Sequence, residues 1–123
     1  MNVIWNCLFQ EKDDARRIIG KMSFSSIVRG AFHACYLGYS MDKNEQRRGY
    51  MTEVLGVAIK YMFEIQNIHR IMANYLVDNL ASAVVLKKPG FVIEGKAARY
   101  LRIAGRWQDH VLTSVTNTQW MET

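Results

Sequence analysis

Three apolar, strand-like segments stand ahead of the first helix-patterned one, and this order limits the fold more than any other feature of the chain. Val3–Gln10 is apolar and aromatic. Arg17–Val28 carries Ile18, Ile19, Met22, Phe24, Ile27 and Val28, and Ala31–Met41 forms a third run. The charged turn Glu11-Lys12-Asp13-Asp14 separates the first two, and Arg29-Gly30 separates the second from the third. In the third run His33, Cys35, Leu37 and Tyr39 alternate with Phe32, Ala34 and Tyr36. Neither set is strongly polar, which predicts a central strand covered on both faces. Gly49–Gln66 then places Met51, Val54, Leu55, Ala58, Ile59 and Met62 at helical spacing, with Thr52, Glu53, Lys60 and Glu64 opposite. Gly56 within it costs about 1 kcal/mol against alanine and predicts a close packing contact.

The remainder alternates. Ile68–Leu76 reads as a strand, and Leu80–Lys88 as a short helix capped by Asp78 or Asn79 and stopped by Pro89-Gly90. Phe91–Ile103 and His110–Val115 read as strands, with Gly105 near the turn of a hairpin. The order β-β-β-α-β-α-β-β excludes a doubly wound nucleotide fold, which alternates strand and helix from its start. It predicts an α+β domain, a mixed sheet with helices on its faces, spanning residues 1–123 as one unit. Half of the 123 residues are hydrophobic, enough for a real core and too many for a disordered chain.

Several function classes lose ground on composition. No apolar run is long enough to cross a bilayer, and the N-terminus lacks the pattern of a secretory signal, so a cytoplasmic protein is expected. Cys7 and Cys35 form no CxxC unit and are read as reduced. His33 and Cys35 share one strand face and would offer two metal ligands. Zinc needs at least one more, so no metal is expected and core packing accounts for the pair. A net charge of +5 favours an anionic partner. No basic-aromatic interleave supports a nucleic-acid platform, so a nucleic-acid partner has only the net charge behind it.

The most informative stretch is Gln46-Arg47-Arg48-Gly49-Tyr50-Met51, between a central strand and the N-terminus of the clearest helix. Unpaired N–H groups and the positive end of the dipole meet two arginines there. Gly49 lets an anion approach the backbone. A solvated basic loop is the plainer account. The loop is neither a Walker A sequence nor a GxGxxG fingerprint.

Gln46-x-x-Gly49-x-Met51 resembles the Q/R-x-x-G-x-G/A pyrophosphate loop of the GNAT superfamily of acyl-CoA N-acyltransferases. Arg48-Gly49-Tyr50-Met51-Thr52-Glu53-Val54-Leu55 is similar to the branch that acetylates the N-terminal alanine of ribosomal proteins. Further matches to that branch follow in order. They are Phe32–Ser40, Ile68–Asn74, Asn79-x-x-Ser82, Gly90-Phe91-x-x-Glu94-Gly95 and Trp107–Leu112. Together they cover nearly the whole chain.

The resemblance implies a GNAT-like fold lacking the family's first strand and first two helices, with acetyl-CoA as cosubstrate and a primary amine as acceptor. Backbone groups of Tyr39, Ser40 and Met41 would bond the pantetheine amides. The amides of Arg47, Arg48, Gly49, Tyr50 and Met51 would hold the pyrophosphate, and Gln46, which opens the motif, is counted with the cofactor-binding residues. Asn79 would contact the arm near its middle, and Ser82 would protonate the departing thiolate as general acid. Helix capping alone would also account for Asn79 and Ser82.

The chain departs from the family in four places. A short N-terminus would leave an unpaired sheet edge, which predicts a homo-oligomer. Pro89 stands where a leucine is usual and would disfavour helix at Lys88. Arg99 replaces a carboxylate before Tyr100-Leu101 and cannot act as a base, which leaves Glu53, Glu94 and Asp109 as candidates. Met51 replaces a small residue. A catalytically impaired acyl-CoA-binding or assembly protein derived from the same fold is the alternative reading.

Overall fold

The computed structural model describes residues 5–10, 18–41 and 50–122, with side chains described over 20–40 and 51–122. The eight expected elements occur in the expected order. They are β1 (Trp5–Gln10), β2 (Ile18–Val28), β3 (Ala34–Met41), α1 (Tyr50–Glu64), β4 (Arg70–Leu76), α2 (Leu80–Lys87), β5 (Val92–Ile103) and β6 (Arg106–Thr116). The strands form one six-stranded sheet in the order β1-β2-β3-β4-β6-β5. β3 and β4 run parallel and are joined by the α1 crossover, while the other neighbours pair antiparallel.

The period-two alternation of the strands sorts their residues onto two faces. Met22 and Phe24 of β2, Cys35 and Leu37 of β3, and Ile71, Ala73 and Tyr75 of β4 point to one face. Met51, Leu55, Ala58, Ile59 and Met62 of α1 and Leu86 of α2 complete the core on that face. Both helices therefore pack on the same side. The spacing of the α1 positions is what allows it, because they form one stripe along the helix.

The opposite face corrects one expectation. β3 is central, but no helix covers its second face among the described residues. Tyr36 there is 38% exposed, and Phe32, Gly38 and Ser40 are also exposed. Strand β3 also begins at Ala34 rather than Ala31. Gly30 and His33 adopt positive φ (72° and 46°), and the His33 Nδ1 lies 2.5 Å from the Gly30 carbonyl, so the chain turns before it pairs.

Other boundaries shift for local reasons. Helix α1 ends at Glu64, before the left-handed Asn67 (φ 52°), and β4 begins at Arg70. Strand β6 starts at Arg106, four residues earlier than expected. Ala104 and Gly105 both have positive φ (55° and 77°) and join Ile103 to its partner Arg106, as a two-residue type I′ turn requires. Gly56 makes no close contact, since a Cβ there would meet nothing within 4 Å. Lys88 keeps a right-handed helical backbone (φ −65°, ψ −42°) despite the following Pro89, and Gly90 at φ 103° completes the stop. Beyond β6 the chain folds back on the α1–β4 junction, where the Trp120 Nε1–H donates to the Asn67 carbonyl at 2.9 Å.

Candidate functional site

Parallel strands β3 and β4 pair only over Ala34–Tyr36 and Arg70–Met72. Both strands continue, β3 to Met41 and β4 to Leu76, without further pairing to each other. β2 satisfies one edge of β3 along this stretch and β6 satisfies one edge of β4. The facing edges diverge into a wedge whose backbone N–H and C=O groups are available to a ligand with amides of its own.

Ser82 lies on α2, the helix that follows β4, and its side chain reaches the unpaired stretch of β3. Asn79 is the N-cap of α2, its side-chain oxygen accepting the Ser82 N–H at 3.1 Å, which brings Ser82 into the first turn. The capping account of Asn79 is therefore realised. The Ser82 hydroxyl takes no part in that cap. Ser82 as a residue is 9% exposed, and its hydroxyl accepts a hydrogen bond from the Tyr39 hydroxyl at 3.0 Å. Tyr39 lies on β3 beyond the last residue paired with β4, on the helix face, so this bond ties the unpaired stretch of β3 to the helix that follows β4. Burial raises the Tyr39 phenol above its usual range, with Tyr75 adding to the effect and the Ser82 bond opposing it.

The remaining expected cofactor residues divide. Ser40 is exposed on β3, and Met41 is that strand's last residue. Gln46, Arg47, Arg48 and Gly49 lie outside the described residues. Tyr50 opens α1, and Met51 follows with its side chain buried in the core, so any contact it makes with a ligand is through its backbone. A shallow cavity of about 710 Å³ runs between the outer face of α1 and the end of α2, lined by Thr52, Gly56, Lys60, Lys88 and Pro89 among others. It contains none of Tyr39, Asn79 or Ser82.

The three candidate acids occupy different surroundings. Glu53 is exposed on α1. Glu94 forms an ion pair with Arg70, and this bond holds its carboxyl below the usual carboxylate range. That makes it a weak base, and it sits beside Ser114, away from the divergent ends. Asp109 lies at the divergent end of β4, where its carbonyl accepts the Val77 N–H.

A feature missed from sequence surrounds Asp109. Between the pairs Ala97–His110 and Leu101–Gln108, three residues of β5 oppose one of β6. Arg99 takes φ 48° in this bulge. The bulge leads Tyr100 toward Asn74 (3.5 Å from Nδ2), Tyr36 and the His110 ring (centroids 5.6 Å apart). Tyr36 is pushed above the usual phenol range, chiefly by its bond to Tyr100 and then by burial. The only hint in the sequence was the unexpected Arg99.

Cys35 is buried, and burial pushes its thiol up to about 12, which removes it as a nucleophile. His33 packs edge-on against Trp120, and among the described residues no cluster of three or more His, Cys, Asp or Glu could hold a metal.

Comparison with known families supplies the deciding observation: the acetyltransferase (GNAT) domain family matches residues 2–92. The chain belongs to the GNAT acetyltransferase family. This GNAT chain is 52% identical over 107 residues to the [ribosomal protein uS5]-alanine N-acetyltransferase of Escherichia coli (strain K12), a match covering 87% of this chain and 55% of the relative. A crystal structure of ribosomal-protein-S5-alanine acetyltransferase from Vibrio fischeri superposes at a TM-score of 0.93 with 44% identity, over 97% of this chain and 64% of that one. Mycobacterium smegmatis RimJ in complex with CoA-disulfide superposes at 0.83 with 28% identity, over 96% and 56%. The GNAT chain thus spans about half the length of the curated relative. Among its described residues no helix is long and apolar enough to cross a membrane.

Proposed function

We propose that this GNAT domain transfers an acetyl group from acetyl-CoA to a primary amine by direct attack, and that the N-terminal alanine of a ribosomal protein is the first acceptor to test. One observation carries the reading. Two parallel strands stop pairing and leave facing backbone edges, and the buried Ser82, on the helix after the second strand, is hydrogen-bonded to Tyr39 on the unpaired stretch of the first. The edges at Tyr39, Ser40 and Met41 suit the amides of a pantetheine arm. The amides from Arg47 to Met51 would take the pyrophosphate, with Gln46 opening that loop, and Asn79 would touch the arm near its middle. Ser82 would give its hydrogen to the departing sulfur. The match to alanine N-acetyltransferases supports the acceptor class.

Use of acetyl-CoA and the buried free thiol of Cys35 support a cytoplasmic setting. Edge strand β5, with Val92 and Ile93 exposed, supports self-association through that edge. Light scattering at high micromolar concentration tests this, and a monomer there removes the oligomer from the proposal.

Isothermal titration with acetyl-CoA tests the cofactor reading, with Gly49→Trp as control. Binding that the tryptophan abolishes is expected. A peptide with an N-terminal alanine should then release CoA thiol on acetylation. Binding without turnover on any amine would favour the impaired derivative, and no binding would overturn the proposal.

A further inference from the structure

From the bond between the hydroxyls of Tyr39 and Ser82, we infer that Tyr39 is a positioning residue that orients Ser82 as proton donor to the sulfur. The inference rests on the proposed role of Ser82 and adds to it the group that makes that role effective.

A serine hydroxyl has one hydrogen and two lone pairs. Among the described residues, Tyr39 is the partner of the Ser82 oxygen, and it donates to one of those lone pairs at 3.0 Å. The serine's own hydrogen is then left for a second acceptor. The Ser82 N–H is separately engaged by Asn79, so the backbone of the first turn is fixed while the hydroxyl remains unspent on capping. The two residues come from different elements, Tyr39 from the stretch of β3 that no longer pairs with β4 and Ser82 from the helix that follows β4. On the proposed role of Ser82, a thioester bound along the unpaired edge of β3 would bring its sulfur to the serine of this pair.

The donor also changes the acidity of the serine. As Ser82 gives up its hydrogen, negative charge grows on its oxygen, and a hydrogen bond from Tyr39 strengthens with that charge. Burial keeps Tyr39 protonated at working pH, so it remains a donor throughout. In the transfer, the carbon–nitrogen bond forms and the carbon–sulfur bond breaks. The sulfur takes the hydrogen of Ser82, the nitrogen sheds its surplus proton to water, and Ser82 regains one from water. No proton leaves Tyr39, which distinguishes positioning from relay.

CoA itself is the probe. Its bound thiol is titrated by the ultraviolet absorbance of the thiolate, a readout independent of turnover. Ser82 donating to the thiolate should hold the bound thiol below that of free CoA. Tyr39→Phe should raise it by on the order of one pH unit, with CoA affinity at low pH unchanged and a small fall in melting temperature from the lost hydrogen bond. Fluorination of the Tyr39 ring makes the phenol a stronger donor and should shift the titration the opposite way. With the alanine peptide as acceptor, Tyr39→Phe should lower kcat about tenfold without changing KM for acetyl-CoA, and Ser82→Ala with Tyr39→Phe should be no slower than Ser82→Ala alone.

The failures are separable. If Ser82→Ala shifts the bound thiol and Tyr39→Phe does not, the inference falls and the role of Ser82 stands. If neither variant shifts it, the role of Ser82 falls and takes the inference with it. If CoA does not bind, the proposed function and the inference both fall.

Discussion

The Asp109 carboxylate accepts the backbone N–H of Arg99 at 2.9 Å and so closes the bulge of β5. One acid thereby fixes a left-handed residue and, through it, the direction in which Tyr100 leaves the strand. Arg99 cannot be the base that a carboxylate at its position would supply, but its backbone geometry is what brings Tyr100 to Tyr36 and Asn74.

Arg99→Gly should stabilise the chain. A side chain at φ 48° carries a penalty of about 1–2 kcal/mol that glycine escapes. Glycine's own entropy cost returns part of it. A net gain of about 0.5 kcal/mol is expected from urea denaturation midpoints. Asp109→Ala should lose about 1 kcal/mol by the same measurement, and a gain there would show that the bulge holds without its acceptor.

Asn79→Ala should cost about 1 kcal/mol through loss of the α2 cap. Asn79→Asp keeps an acceptor for the Ser82 N–H and should restore most of it. Equal losses in the two variants would mean that the cap is not what holds this turn.

Two positions on α1 separate core from surface. Leu55 is fully buried, and Leu55→Ala should cost about 2–5 kcal/mol. Val57 is 69% exposed, and Val57→Ala should stay within about 0.5 kcal/mol. Thermal or chemical denaturation of the two variants measures both.

Cys35 should resist thiol reagents at pH 8 until the chain unfolds, which is best followed in a Cys7→Ser background. Its thiol is raised from 9.0 to about 12, so the folded state holds the proton longer than the unfolded state. The associated stability is complete below about pH 9, and is lost as pH rises from there toward 12. Stability that rises across that interval would contradict the burial of this thiol.

The element order was legible because each segment carries its own period. The alternation of Arg17–Val28 and the stripe from Met51 to Met62 are local facts, and the sheet and α1 follow from them. The N-cap at Asn79 and the stop at Pro89-Gly90 were legible for the same reason, since capping involves residues three or four apart. The start of β6 was not. Arg106-Trp107-Gln108-Asp109 is polar, and it becomes strand because it pairs with Leu101–Ile103 across the Ala104-Gly105 turn. The exposed second face of β3 was also hidden, because apolar alternation shows that a strand suits a sheet and not what lies above it.

The succession of strands and helices, the helix caps and the core stripe are written in the order of the residues. These depend on side-chain spacing and backbone preference over a few residues. Packing between distant elements is what makes β3 and β4 part after Tyr36 and Met72, lets Asp109 close a bulge ten residues away at Arg99, and brings Tyr39 to Ser82 forty-three residues along the chain. Each of those depends on the distance between elements that share no local signal. Hydrogen bonds act over about 3 Å, and no periodicity in a one-dimensional pattern encodes which hydroxyls a sheet will bring within that reach.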